Sequence, residues 1–445
     1  MKFTPYFDKG FQPFILDYRQ HLCSGNIPVK IAVERNNGYN FVKQLALAGE
    51  SKQVLQTAVR FIQGILWCAG GYKVYIQGSK ALAHAVKEAY STVYKIDTDY
   101  MVKIYQQPFE VIFLEDSQPF PKEQPCSIKL GGHLNGCRIG LDLGGSDRKV
   151  SAVQDGEAIY SEEVVWHPKT NSDPAYHYNG VLTALQTAAE KLPRVDGIGI
   201  SSAGCIVDNK VALALLYKLV SKQDFDKYIR DMYLRAAKEI NPNIPIVVAN
   251  DGDVSAIAGS LFMKKNALLG LAFGTSEAAG YVDKSGSING FLSELAFVPV
   301  DNNVNAPFNE FNHDKGVGTS YFSQDAAIRL ADMAGFELDK DLAPAQKLKA
   351  IQEQVKEGNA NALNIFADIG LYLGYTLPYY AEFYSLENVM LLGRVMSGAG
   401  GDIIISKAKQ VLQEEFSSDI ELLVPDEMTR RVGQSIAAAS MPFIE

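Results

Sequence analysis

The sequence predicts an α/β protein, and three observations carry that expectation. Apolar runs of strand length alternate with amphipathic patterns of helical period along the chain. Several strand-like runs end in Gly, Asp or Asn, which is where an α/β sheet presents its ligand sites. A Pro-rich polar stretch, SQPFPKEQP, followed closely by GGHLNG, separates a first module from a longer body between Gln118 and Gly136.

The bulk properties narrow the class. A chain of 445 residues suits two to three domains, and 47% hydrophobic with 21% charged residues is ordinary for a soluble globular protein. The net charge of -9 argues against broad binding to phosphate backbones, so no nucleic-acid partner is expected. Apolar runs fall short of a membrane span, and MKFTPYFDKGFQPF lacks the apolar segment of a signal peptide. Five cysteines, Cys23, Cys68, Cys126, Cys137 and Cys205, are scattered without a CxxC spacing. They read as reduced thiols, and the expected location is the cytoplasm.

In the first module, QVLQTAVRFIQGILW (Gln53 to Trp67) has helical spacing. KVYIQGS reads as a strand, KALAHAVKEAYSTV as a helix and FEVIFLED as a second strand. Beyond the linker, RIGLDLGG, VSAVQDG and EAIYSEEVVW read as three strands joined by tight turns. VLTALQTAAEKL is an amphipathic helix, VDGIGISSAG a strand ending in small residues, and IPIVVANDGD a buried strand leading into the helical VSAIAGSLFM. ALLGLAFGTSEAAGYVDKSGSINGF reads as strand and hairpin. Ala362 to Tyr384 is a long helix, NVMLLGR a buried strand and Ile403 to Phe416 a further helix. The order helix-strand-helix-strand in Gln53 to Asp116 repeats in Ala362 to Asp426, and either a diverged copy or chance explains it. Trp67 and the aromatic run YTLPYYAEFY (Tyr375 to Tyr384) read as core. His21, His84, His133, His167, His177 and His313 show no ligand spacing and read as ordinary.

Four stretches can carry chemistry. In DLGGS, Asp142 ends a strand, and Gly144 and Gly145 permit positive φ and leave backbone N–H groups bare for phosphate oxygens. A carboxylate there suits Mg²⁺ held through water; a Gly-Gly hairpin with a solvated Asp fits the stretch equally. In VVANDGD, Asn250 and Asp251 arrive at a strand end, where a carboxylate suits a general base. Asp251 is alternatively a helix cap, and capping is the stronger reading for Asp253. LAFGTSEAAG offers Gly274 and Thr275 as a second phosphate cradle, or a plain small-residue hairpin. NVMLLGRVMSGAGGD runs a strand into Gly393 and a Gly-rich turn that a nucleoside could approach.

Taken together and in this order, these stretches resemble the five signatures of the actin-like, sugar-kinase ATPase fold, and within it the ROK family (repressor, open reading frame, kinase). IGLDLGGSDRKVSAV resembles the first phosphate motif and GIGISSAGCIVD the Pro-Gly-Pro-Val-Asp strand end. VVANDGDVSAIAG resembles the segment of the catalytic Asp, FGTSEAAGYVDKSGSINGFLSELAF the second phosphate motif running into Glu-x-Gly-His, NVMLLGRV the adenosine strand, and VGQSIAAAS the closing helix. The resemblance covers about Cys137 to Glu445.

It implies an α/β, ribonuclease H-like fold of two lobes with an additional N-terminal α/β module. The expected division is residues 1–136 as that module, 137–260 as the first lobe and 261–445 as the second, with the last helix returning to the first lobe. It implies an ATP-dependent sugar kinase in which the lobes close over ATP and a hexose or amino sugar. Asp251 would be the base and Asp142 would hold Mg²⁺ through water. Gly144, Gly145, Ser146, Gly274 and Thr275 would line the phosphates, and Gly393 the nucleoside. Asn250, Asp251, Gly204 and Glu294 would contact the sugar. A homodimer is compatible with the resemblance. A noncatalytic sugar or nucleotide sensor, or a kinase of a non-sugar substrate, are the alternatives. The first module shows strands with a crossover helix and no basic recognition helix, unlike the winged helix-turn-helix of ROK repressors.

The sequence departs from the family in three places. HDKGVGTSYFSQ has no cysteine and Phe297 stands in place of the family's His, so no structural zinc is expected. Ser276 and Ala279 replace glycines in the second phosphate motif. Arg394 replaces a glycine beside the adenine.

Overall fold

The computed structural model describes residues 1–128, 130, 132, 134–425 and 433–444. Among the histidines, His133 lies outside the described residues, as do Val432 of the closing helix and Asp426 at the end of the repeat. The chain forms two compact units: Met1–Pro125 with Leu271–Ala279 and Phe291–Val424, and Cys126–Gly270 with Gly280–Gly290 and Pro425–Glu445. The first break falls in the Pro-rich stretch. The first module nevertheless does not stand apart as the three-part division expects, because it shares a unit with much of the second lobe.

The first module contains α1 (Phe14–Leu22), β1 (Ile27–Glu34), β2 (Asn40–Leu47), α2 (Lys52–Cys68), β3 (Lys73–Gln77), α3 (Lys80–Ser91), α4 (Lys95–Tyr105) and β4 (Glu110–Leu114). Its sheet has the order β2-β1-β3-β4, with β1 antiparallel to β2 and β3, and β3 parallel to β4. Ser51 and Ser79 cap α2 and α3 by accepting from Val54 N and Leu82 N. This is an open α/β sheet, not the three-helix start of a winged helix-turn-helix.

In the second unit β5 (Cys137–Leu143), β6 (Asp147–Gln154) and β7 (Glu157–Val165) form an antiparallel meander, followed by α5 (Pro174–Ala189) and β8 (Gly197–Ser202). A hairpin of β9 (Cys205–Val207) and β10 (Lys210–Leu213) and a one-turn α6 (Lys222–Asp224) lead to α7 (Met232–Ile240), β11 (Ile246–Asn250) and α8 (Asp251–Met263). The five-stranded sheet has the order β11-β8-β5-β6-β7, with β5, β8 and β11 mutually parallel. Ile139, Leu141, Ile198 and Ile200 are fully buried in its core, with Val181 and Leu185 of α5. The closing helix, α13 (Gly433–Ala439), lies directly on this sheet. A Cβ on Gly140 would stand 1.6 Å from Ser435 O, and one on Gly199 1.7 Å from Ala438 O. Only glycine at those two strand positions lets the helix approach.

The rest of the first unit is built on β12 (Leu268–Phe273), β13 (Glu277–Val282), the short pair β14 (Phe308–Asn309) and β15 (Asp314–Lys315), α9 (Gln324–Met333), α10 (Pro344–Lys356), α11 (Ala360–Tyr380), β16 (Asn388–Leu392), α12 (Ala399–Phe416) and β17 (Glu421–Leu423). Its sheet runs β13-β12-β16-β17. Aromatic packing joins the first module to α11. Phe14 meets Tyr379 at 4.7 Å between centroids, and Phe61 stacks on Phe383 at 5.6 Å. Gly64 makes room, since a Cβ there would lie 2.3 Å from Tyr379 Oη. The buried tyrosines of YTLPYYAEFY are therefore core. Burying these rings is the physical reason the module is not independent.

Candidate functional site

Two carboxylates stand at the ends of parallel strands β5 and β11, on either side of β8. Asp142 pairs in register with Ser201 of β8 and Lys149 of β6. Its Oδ1 accepts from Ser201 Oγ at 2.7 Å. With the Gln434 amide oriented as its hydrogen-bond partners require, its nitrogen donates to both Asp142 oxygens, at 2.9 and 3.1 Å, and its oxygen accepts from Ser255 Oγ at 2.7 Å. Burial raises the Asp142 carboxyl to about 6; Ser201 opposes this and the charge of Asp251 adds to it.

Asp251 is held differently. It opens α8, but the helix is capped by Asn250, whose Oδ1 accepts from Gly252 N at 2.7 Å. The capping role expected of Asp253 is thus corrected. Asp253 lies inside the first turn, buried, and its Oδ1 accepts from Tyr281 N at 3.3 Å. Asn250 also donates to Gly204 O at 2.8 Å, which braces the end of β11 against the turn after β8. Gly204 has φ 115, and a Cβ there would lie 2.5 Å from Leu213 O. The Asp251 carboxylate accepts from Gly252 N at Oδ1, at 3.0 Å, and its other polar neighbour is its own backbone N–H. Its Oδ2 has no protein donor among the described residues, and burial raises its pKa. One carboxylate is fixed on both oxygens by side chains, and the other is engaged on one oxygen only among the described residues.

The loop after β5 corrects one expectation. Gly144 and Gly145 do not adopt positive φ. Their value is the missing side chain, since a Cβ on Gly145 would lie 2.8 Å from Lys169 Nζ. Gly144 N donates to Asp147 O at 3.0 Å and its carbonyl accepts from Trp166 Nε1 at 2.9 Å, so the loop is a tight turn pinned from β7's end. Ser146 Oγ donates to Asp147 Oδ2 at 2.9 Å.

The first unit carries the other candidates. Gly274 N donates to Ser276 O at 3.1 Å, and Gly274 O accepts from Gln324 N at 2.8 Å, which staples the turn to the start of α9. Thr275 is exposed at its tip. Gly393 ends β16 with φ 94, and a Cβ there would lie 2.3 Å from Phe273 O. A cavity of about 400 Å³ opens beyond it, lined by Lys349, Gln352 and Lys356 of α10, by Arg394, and by Gly398 and Gly400 at the start of α12. Arg394, which departs from the family's glycine, lines this cavity. Glu277 is a buried carboxyl that sequence reasoning passed over. Burial raises it to about 8, and it accepts from Tyr380 Oη at 3.2 Å. Only its burial singles it out, and no local pattern announces that.

Glu294 is held in place by the first module. Ser293 N and Glu294 N donate to the carbonyls of Cys68 and Trp67, at 2.9 and 3.0 Å, at the C-terminal end of α2. Phe297 packs on Trp67 at 4.8 Å and stacks on Phe311 at 4.7 Å, which stacks on Tyr100 at 4.9 Å. The cysteine-free segment holds Asp314, which accepts from Arg60 at 3.0 Å and from Gln63 at 3.0 Å. Gln63 also donates to Asp97 at 2.7 Å. Burial raises Asp97 from 3.8 to about 7; Gln63, Trp67 and Arg60 oppose this and Asp314 reinforces it. Folding therefore favours protonated Asp97, so its contribution to stability falls as pH rises from 3.8 to about 7. Asp97→Asn is expected to gain melting temperature over the wild type as pH is raised from about 5 to about 8. An equal difference at both pH values would refute that assignment.

No family model matches the sequence, and no curated protein does. Solved structures do. A ROK family glucokinase from Streptomyces griseus, crystallised with glucose and AMPPNP, aligns over 68% of this chain and 98% of its own at 19% identity and a TM-score of 0.50. A ROK hexokinase from Thermus thermophilus aligns over 69% of this chain and 97% of its own at 16% identity and 0.53. The chain has the ROK fold. A ROK family transcriptional regulator, a homologue of the E. coli MLC protein, matches over 69% of this chain and 79% of its own, at 16% identity and 0.54. The ROK fold is thus shared by catalysts and a regulator, and the side chains must decide between them.

Proposed function

We propose that this ROK-fold chain is an ATP-dependent kinase that phosphorylates a hydroxyl of a hexose or amino sugar in the cytoplasm. The observation that carries the reading is the contrast between the two strand-end carboxylates. Both oxygens of Asp142 are fixed by side-chain donors, whereas Asp251 keeps an oxygen that no side chain among the described residues engages and has a raised affinity for a proton. A base that must take a proton from an alcohol needs that openness.

In this reading Asp251 Oδ2 accepts the sugar hydroxyl proton as the oxygen attacks the γ-phosphorus. The O–H bond and the bond from phosphorus to the bridging oxygen break, and ADP leaves with the electron pair. Asn250, Gly204 and Glu294 would contact the sugar. Gly144, Gly145, Ser146, Gly274 and Thr275 would face the phosphates, with the nucleoside in the cavity beside Gly393 and Arg394. Mg²⁺ bound with the nucleotide would supply charge neutralisation. Asp142 fits it through water, because each of its oxygens retains a lone pair beyond its bonds to Ser201 and Gln434. The reading gives zinc no part, and gives residues 1–136 no part in binding nucleic acid.

The test is ADP release with Mg·ATP across a panel of hexoses and amino sugars, preceded by thermal-shift screening of the same ligands. Saturable sugar-dependent ADP release is the expected result. Binding of sugar or nucleotide without turnover would establish the sensor instead, and ADP release only with non-sugar acceptors would reassign the substrate.

A further inference from the structure

The first phosphate loop and the strand ends proposed with it carry three carboxyl groups, and an anionic ligand there calls for a cation as well. Asp142, Asp147 and Asp251 all belong to this half-site. Of the two cations that follow in sequence, Lys149 is already committed, lying 3.9 Å from Asp147 and 3.6 Å from Glu163. Arg148 is turned toward α5, with an Nη 2.8 Å from where a Cβ on Gly180 would stand.

Lys169 is different. It lies on the short 3-10 turn Pro168–Thr170, after β7. That turn is fixed to the loop through its neighbour Trp166. The Trp166 indole donates to Gly144 O at 2.9 Å, and Trp166 N donates to Ser146 O at 3.1 Å. Pro168 at the first position and the bond from Thr170 Oγ1 to His167 O, at 3.2 Å, set its path. The result carries the lysine tip over Gly145. A Cβ built there would meet Nζ at 2.8 Å and Cε at 2.9 Å. The side chain is exposed, and no carboxylate among the described residues pairs with it. An ammonium held over bare glycine backbone and paired with no carboxylate among the described residues is placed for an anion that arrives from outside.

We propose that Lys169 is the cationic contact to the phosphate chain of the nucleotide in this half-site, a proposal that rests on the kinase reading. A point-charge contact to phosphate should make affinity depend on the number of phosphates and not on the nucleoside. Calorimetric titrations of the full chain with ATP, ADP and AMP, each with Mg²⁺, test this. Lys169→Ala is expected to weaken ATP binding by about 10- to 100-fold and to leave AMP binding unchanged, with Lys169→Arg recovering most of the loss. Unchanged ATP affinity in Lys169→Ala, or an equal loss for AMP, would overturn the assignment alone. Failure of the wild-type chain to bind any of the three nucleotides would overturn it together with the kinase reading.

Discussion

Asp251→Asn is expected to lower kcat by about 10²–10⁴ while the protein folds and binds nucleotide as the wild type does. The size follows from removing the only proton acceptor proposed at the acceptor hydroxyl. The preservation of fold follows from the local geometry. Asn250, not Asp251, caps α8, and an asparagine at 251 can still accept from Gly252 N through its own carbonyl oxygen. The substitution therefore removes basicity and leaves the helix start intact. KM for ATP should stay near the wild-type value, because the side chain meets the acceptor and not the phosphates. If the variant retains kcat within a few-fold of the wild type on the true acceptor, Asp251 is not the base. A loss of helix content or of melting temperature comparable to a lost cap, about 1 kcal/mol, would instead mark it as structural.

What the sequence exposed and what it hid divide along one physical line. β5 and β11 were legible because an apolar run ending in Asp or Asn is a local pattern. The partners of those carboxylates were not. Ser201 and Gln434 reach Asp142 from β8 and from the closing helix, at separations that no spacing rule encodes. Lys169 sits in HPKT, which reads as an ordinary surface turn until Trp166 is seen pinned to the loop. Of the two properties that singled out the glycines after Asp142, the structure uses the missing side chain and not the positive φ. Gly140 and Gly199 carry no sequence signal, because the α13 backbone that demands them lies far along the chain. In the first module the periodic elements α2, β3, α3 and β4 stood out. Their attachment to α11 did not, since an aromatic face announces burial without naming what covers it.

That attachment sets the second large effect. Arg60→Met is expected to destabilise the first unit by about 3–5 kcal/mol, because it strips a buried carboxylate of its cation. Arg60 Nη1 donates to both oxygens of Asp314, at 3.0 and 3.2 Å, and to Tyr94 Oη at 3.2 Å, while Nη2 donates to Lys315 O at 2.8 Å. The Asp314 side chain is only 9% exposed, so an uncompensated charge there has little water to turn to. Helix α2 of the first module thus anchors HDKGVGTSYFSQ, the segment in which the family's cysteines would stand, by an ion pair. The aromatic stack on Phe297 runs alongside it. The same helix holds Ser293 and Glu294 by its terminal carbonyls, so loosening it should also disturb the proposed sugar contact. Arg60→Met combined with Asp314→Leu should recover much of the lost stability, since replacing both members of a buried pair by apolar groups is often close to neutral. The measurement is denaturant unfolding of the full chain, followed by a probe within the first unit such as the fluorescence of Trp67. A cost below about 1 kcal/mol for the single change, or no recovery in the double variant, would show that the aromatic packing alone carries the junction.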